Sequence, residues 1–143
     1  MKKIAEILIM AVMAVFMGAV VVVATPPVPS DVQIVPPDPA LPKELAAFSG
    51  KWEGSAYSPT GKVMEFFLIV EKIDKEKASL YVYSQSYGWE RIDAQVAKEY
   101  GKYVIWFAAR PRGVYRVKFI KGDKLELFDS GYTLSVTYTR ADI

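Results

Sequence analysis

The chain of 143 residues contains no cysteine and no histidine. The first absence excludes disulfides, thiolate metal sites, a cysteine nucleophile and the lipid-modified cysteine of bacterial lipoproteins. The second removes the commonest metal ligand and the side chain most used for acid–base work near neutral pH, so chemistry would fall to carboxylates, Lys, Tyr or Ser. A dominant sign of charge is lacking too. Eighteen Lys and Arg stand against sixteen Asp and Glu, a net charge of +2, which is too even for a nucleic-acid binder. There is no Ser-His-Asp order, no metal-ligand spacing and no phosphate-cradling glycine loop. The expectation is a protein that is not an enzyme and carries no cofactor and no metal.

What is present divides the chain in three. Residues 1–24 begin with Lys2 and Lys3 and continue as an uncharged apolar run from Ile7 to Ala24, the pattern of an export signal. At 1.5 Å per residue the run spans about 27 Å, close to a bilayer core of about 30 Å. It is therefore either cleaved after Ala24 or retained as an anchor. The folded part is expected outside the cytoplasmic membrane, in the periplasm, in the cell envelope or in the medium. Residues 25–43 hold seven of the nine prolines, which predicts an extended, semi-rigid linker. Residues 44–143 make one domain with a core of its own.

After a short helical signal at "LPKELAAF", the domain shows only strand patterns. Trp52, Gly54 and Ala56 alternate with Lys51, Glu53 and Ser55. Met64, Phe66, Leu68 and Val70 oppose Glu65 and Glu71, and Ile92, Ala94 and Val96 oppose Arg91, Asp93 and Gln95. A strand of unclear facing, 78–84, lies between. Gly101, Gly113, Gly122 and Gly131 then fall nine to twelve residues apart at strand junctions, a meander spacing that leaves no room for crossover helices. The fold class is all-β, with eight antiparallel strands. Closure into an up-and-down barrel removes the free edges, and a two-sheet sandwich is the alternative.

A short helix, Gly50-x-Trp52 opening strand one, and Arg140 ending strand eight resemble the calycin superfamily of lipocalins, fatty-acid-binding proteins and avidins. The resemblance spans Leu45 to Arg140 and implies a lipocalin-like barrel whose closed end is plugged by Trp52, with Arg140 across the indole. In strand eight Tyr132, Leu134, Val136 and Tyr138 share the inward parity of Arg140. Gly50 would bend the chain at the barrel floor, and Gly54 would leave room for a neighbour. The lipocalin Thr-Asp-x-Tyr signature and a tail-pinning cysteine pair are absent.

Two kinds of function follow from this reading. In a hollow barrel, Met64, Phe66, Leu68, Tyr115 and Val117 would bind a small apolar ligand entering opposite Trp52. In a filled barrel, an outer basic surface of Arg110, Arg112, Arg116, Lys118 and Lys121 would meet a membrane surface or an anionic envelope partner, or would simply be solvated. Glu53, Glu65, Glu71 and Asp93 face outward by parity as ordinary solvated carboxylates. Glu90, beside Trp89 at a strand entrance, is the carboxylate least readily set aside.

Overall fold

The computed structural model describes residues 24–110, 113–131 and 133–142. The apolar run before Ala24, and with it the export signal, lies outside them, as do Arg112 and Tyr132. Among the described residues no helix is long and apolar enough to cross a membrane.

Eight antiparallel strands close into an up-and-down barrel in chain order. They are β1 (Gly50–Tyr57), β2 (Val63–Ile73), β3 (Lys77–Ser84), β4 (Gly88–Glu99), β5 (Lys102–Ala109), β6 (Gly113–Phe119), β7 (Leu125–Asp129) and β8 (Ser135–Arg140). One turn of helix, α1 (Lys43–Ala46), precedes them. The alternation in the sequence produces this closure directly, because each strand turns one apolar face inward and β8 pairs with β1 from Trp52↔Arg140 to Ser55↔Thr137. Gly54 permits that seam. A Cβ there would stand 2.5 Å from the Thr137 carbonyl oxygen and 2.9 Å from Val136 Cγ1.

Connections 74–76, 100–101 and 120–124 lie at the end where β1 starts, and connections 58–62, 85–87, 110–112 and 130–134 at the other. The first end is plugged. Leu45 and Phe48 hang from the α1 turn into the barrel and meet Trp52 and Phe119, with ring centroids 4.6 Å apart for Phe48–Phe119 and 5.8 Å for Trp52–Phe119. Trp52 is fully buried and its indole Nε1 donates to the Phe48 carbonyl oxygen at 2.9 Å. The Arg140 guanidinium lies 3.7 Å from the indole centroid and donates to the carbonyl oxygens of Ser49, at 2.5 Å, and Ala47. Gly50 has φ +115°, and a Cβ there would meet Arg140 Nη1 at 2.9 Å, so conformation and space both require glycine.

Strand eight is shorter than the pattern 132–140 suggests. The Asp129 carboxylate accepts from the Thr133 and Leu134 amides at 2.6 and 3.0 Å and from the Thr133 hydroxyl at 2.5 Å. That turn takes the first residues out of the ladder.

The proline-rich segment is extended, as its prolines require, and it lies against the barrel wall. Trp89 Nε1 donates to the Pro27 carbonyl oxygen at 2.9 Å, and the Tyr81 hydroxyl donates to Asp31 Oδ2 at 2.6 Å. The Gln33 amide donates to Glu71 Oε1 at 2.8 Å, and the Val35 amide to the Glu71 carbonyl oxygen at 2.7 Å. The expectation of a solvated Glu71 is corrected here. The register of β2 slips between Val70 and Lys72, and Glu71, in that bulge, is 2% exposed beneath the segment. Its Oε2 faces the Arg91 guanidinium at 3.3 Å. Around it the outer wall is aromatic. Trp89 packs on Tyr83 (5.3 Å), Phe67 (6.3 Å) and Tyr81 (6.4 Å), and Phe67 and Ile69 are buried although they point away from the barrel axis.

Candidate functional site

The barrel is filled in one half and hollow in the other. Toward the closed end, Leu68, Val70, Leu80, Ile105, Val117 and Leu125 are at most 1% exposed and meet across the axis. Toward the open end a cup of about 610 Å³ remains, lined among the described residues by Met64, Phe66, Val82, Phe107, Tyr115 and Leu127, with further residues from the mouth connections. The volume falls within the roughly 300–1,000 Å³ usual for small-molecule sites. Side-chain size explains the division. Trp52, Phe48 and Phe119 fill the lower half of a barrel only just wide enough for its own side chains, and no tryptophan points inward above them.

Of the expected ligand-binding residues, Met64, Phe66 and Tyr115 line the cup. Leu68 and Val117 lie one inward step deeper and are fully buried in the packed half. Tyr138, inward by parity in the sequence, lines the cup as well; Phe107 and Leu127 also line it, and the sequence reading did not single those two out as walls. Their inward parity was available as a signal. Phe107 and Tyr115 stack at 5.8 Å on one wall. The Tyr115 hydroxyl is held in its neutral form, its pKa raised first by burial and then by the Asp129 charge, and burial raises that of Tyr138. Both phenols therefore remain hydrogen-bond donors at any ordinary pH.

At the mouth, Glu90 points inward and faces Arg110, whose Nε lies 3.5 Å from Glu90 Oε2 and whose backbone amide lies 3.4 Å from it. The Arg110 guanidinium is 5.8 Å from the Tyr87 ring. These are long contacts, so both charges stay available to a polar group arriving at the rim.

The described basic residues run from the mouth to the closed end, Arg116 and Lys118 sharing the outer face of β6. Arg110 belongs to the mouth, Arg116 pairs with Glu99 at 3.3 Å, and the Lys118 ammonium sits 4.9 Å from the Phe128 ring centroid. Lys121 is exposed in the closed-end connection 120–124.

No family model, no curated protein and no solved structure matches the chain. Its likeness to the calycins is therefore one of architecture, a closed eight-stranded antiparallel barrel.

Proposed function

We propose that this chain is an exported, calycin-like, non-catalytic module that binds a small apolar ligand in the open half of its barrel. The observation that carries the reading is the cup of about 610 Å³, walled by Met64, Phe66, Phe107 and Tyr115 and stopped below by Leu68 and Val117. Such walls favour a ligand by removing its apolar surface from water, at roughly 25 cal/mol per Å² before association costs. The Tyr115 phenol and the Glu90–Arg110 pair would orient its polar end. Among the described residues Glu71 is taken up beneath the proline-rich segment, and Glu90 faces Arg110 rather than a second carboxylate, which favours binding over catalysis. Export is supported by Lys2, Lys3 and the run Ile7–Ala24.

Thermal unfolding of the full chain with a panel of fatty acids, sterols and aromatic metabolites tests this. A true ligand at about 100 times its dissociation constant stabilises by about 2.7 kcal/mol. Ala109→Phe, which fills the cup from the β5 side, should abolish the shift while leaving the ligand-free transition in place. Silence across the panel, or shifts that survive Ala109→Phe, would refute the reading.

A further inference from the structure

The docked proline-rich segment has a direction. Pro27 meets Trp89, next to the open-end connection 85–87, whereas Gln33 and Val35 meet Glu71, two residues before the closed end of β2. The chain therefore reaches the barrel at the level of the mouth. From Ala24, the last residue of the apolar run, to Pro27 is three residue steps, about 10 Å of extended chain. A bilayer that holds residues 7–24 must then lie within that distance of Pro27, on the mouth side of the barrel's length.

The rim has the chemistry of a membrane-facing edge. Tyr57 and Val63 pair across β1 and β2 with their side chains outward, 78% and 52% exposed, and Tyr87 in the neighbouring connection is 44% exposed. Tyrosine suits the headgroup level, where its ring can be half immersed and its hydroxyl stays wet. Charge density separates the two ends as well. Among the described residues, the open-end connections carry only Lys62 and Arg110, the latter facing Glu90, with Asp129 nearby; the closed-end connections carry Asp74, Lys75, Glu76, Lys121, Asp123 and Lys124, three of each sign. A sparsely charged, aromatic rim suits the headgroup level, and a densely charged end suits water.

We propose that the open end of the barrel rests on the lipid bilayer that holds residues 7–24, and that the cup draws its ligand, a lipid acyl chain, out of that bilayer. The second half rests on the binding function proposed above; the orientation rests instead on residues 7–24 being retained as an anchor. Because the chain has no native cysteine, single labels can be placed cleanly. Full-length Tyr57→Cys and Lys121→Cys, each carrying an environment-sensitive fluorophore, are reconstituted in vesicles of phosphatidylcholine and phosphatidylglycerol with nitroxide-labelled lipid. Most of the fluorescence at position 57 should be lost to the nitroxide and almost none at position 121. Equal quenching at the two positions, or stronger quenching at 121, overturns the orientation. Adding Val63→Glu to the Tyr57→Cys chain should relieve much of the quenching. If quenching is unchanged, the tether alone holds the barrel there and the rim contact is overturned. Quenching confined to position 57 with no lipid shifting the thermal transition leaves the docking standing and removes the acyl-chain ligand, so the two failures are separable.

Discussion

The two ends of the barrel are built from the same alternating strands and differ in almost everything else. At the closed end a tryptophan, two phenylalanines and a leucine exclude water, and their polar neighbours satisfy one another: the indole N–H and the Arg140 guanidinium take the carbonyls of Phe48, Ser49 and Ala47. At the open end the walls are equally apolar but nothing spans them, and the polar groups are held by long contacts, as in Glu90–Arg110, or by a local turn, as at Asp129. Close packing is concentrated below and open volume above. A barrel this narrow can hold a ligand only where it gives up part of its own packing.

The largest expected effect follows from that asymmetry. Trp52→Ala should cost about 3–5 kcal/mol, because it opens a cavity among residues that cannot collapse into it and leaves Arg140 without its ring. Met64→Ala, in the wall of the open cup, should cost only about 0.5 kcal/mol, since solvent already reaches the site. Denaturant unfolding of the two variants decides the matter. Comparable losses would mean that the upper half is as tightly packed as the lower.

Next in size is the contact between Arg140 and the helix turn. Arg140→Ala removes a cation–π contact worth about 0.5–1 kcal/mol at an exposed site and charge-assisted hydrogen bonds to two carbonyls, for a total loss of about 1–3 kcal/mol. Arg140→Lys should recover only part of it, because an ammonium cannot lie flat on the indole while reaching both oxygens. Full recovery by lysine would show that charge alone matters and that the planar stacking is incidental.

Much of this contrast is legible in the sequence, and the illegible part has a physical cause. Strand number, the inward set of β1 and the glycines at 50 and 54 follow from period-two alternation and from backbone sterics, which are local. The docked segment was hidden because proline composition dictates extension and is silent about what the extended chain lies on. A trace existed nonetheless. In β2, Phe66 to Val70 is apolar without a break, and a strand buried on one face only would alternate there. Phe67 and Ile69 are the residues that break the alternation; both are buried on the outer wall, Phe67 against Trp89, which holds Pro27. Parity likewise placed Glu71 in water, since it cannot register a cover supplied by Gln33, 38 residues upstream. The late start of β8 was missed because a single carboxylate, Asp129, outcompetes the ladder for two amides.

The smallest effects are local, and acid should separate them from the plug. Asp31 has a lowered pKa, first from the Tyr81 hydroxyl; Asp129 from the Leu134 amide and the Thr133 hydroxyl; Asp74 from the amides of Glu76 and Lys77. A carboxylate whose folded pKa is depressed binds fewer protons in the folded state. Its stabilisation is therefore present above the unfolded value, about 3.9, and is lost as pH falls through the lower folded value. Tyr81 is shifted the other way, its pKa raised first by its hydrogen bond to Asp31, so its contribution is complete below about pH 10 and disappears as pH rises through the raised value. The docked segment is thus held between two limits, with Arg91 and Glu71 the other charges facing it. Amide hydrogen exchange should show Gln33 and Val35 losing protection in strong acid and again in alkali. Thr133 and Leu134 should lose it in acid only. The Trp52 indole should stay protected throughout, because the groups that hold it are carbonyls, which do not titrate. Acid that released the indole before the Gln33 amide would place the weak point at the plug, and the division of labour between the two ends would have to be abandoned.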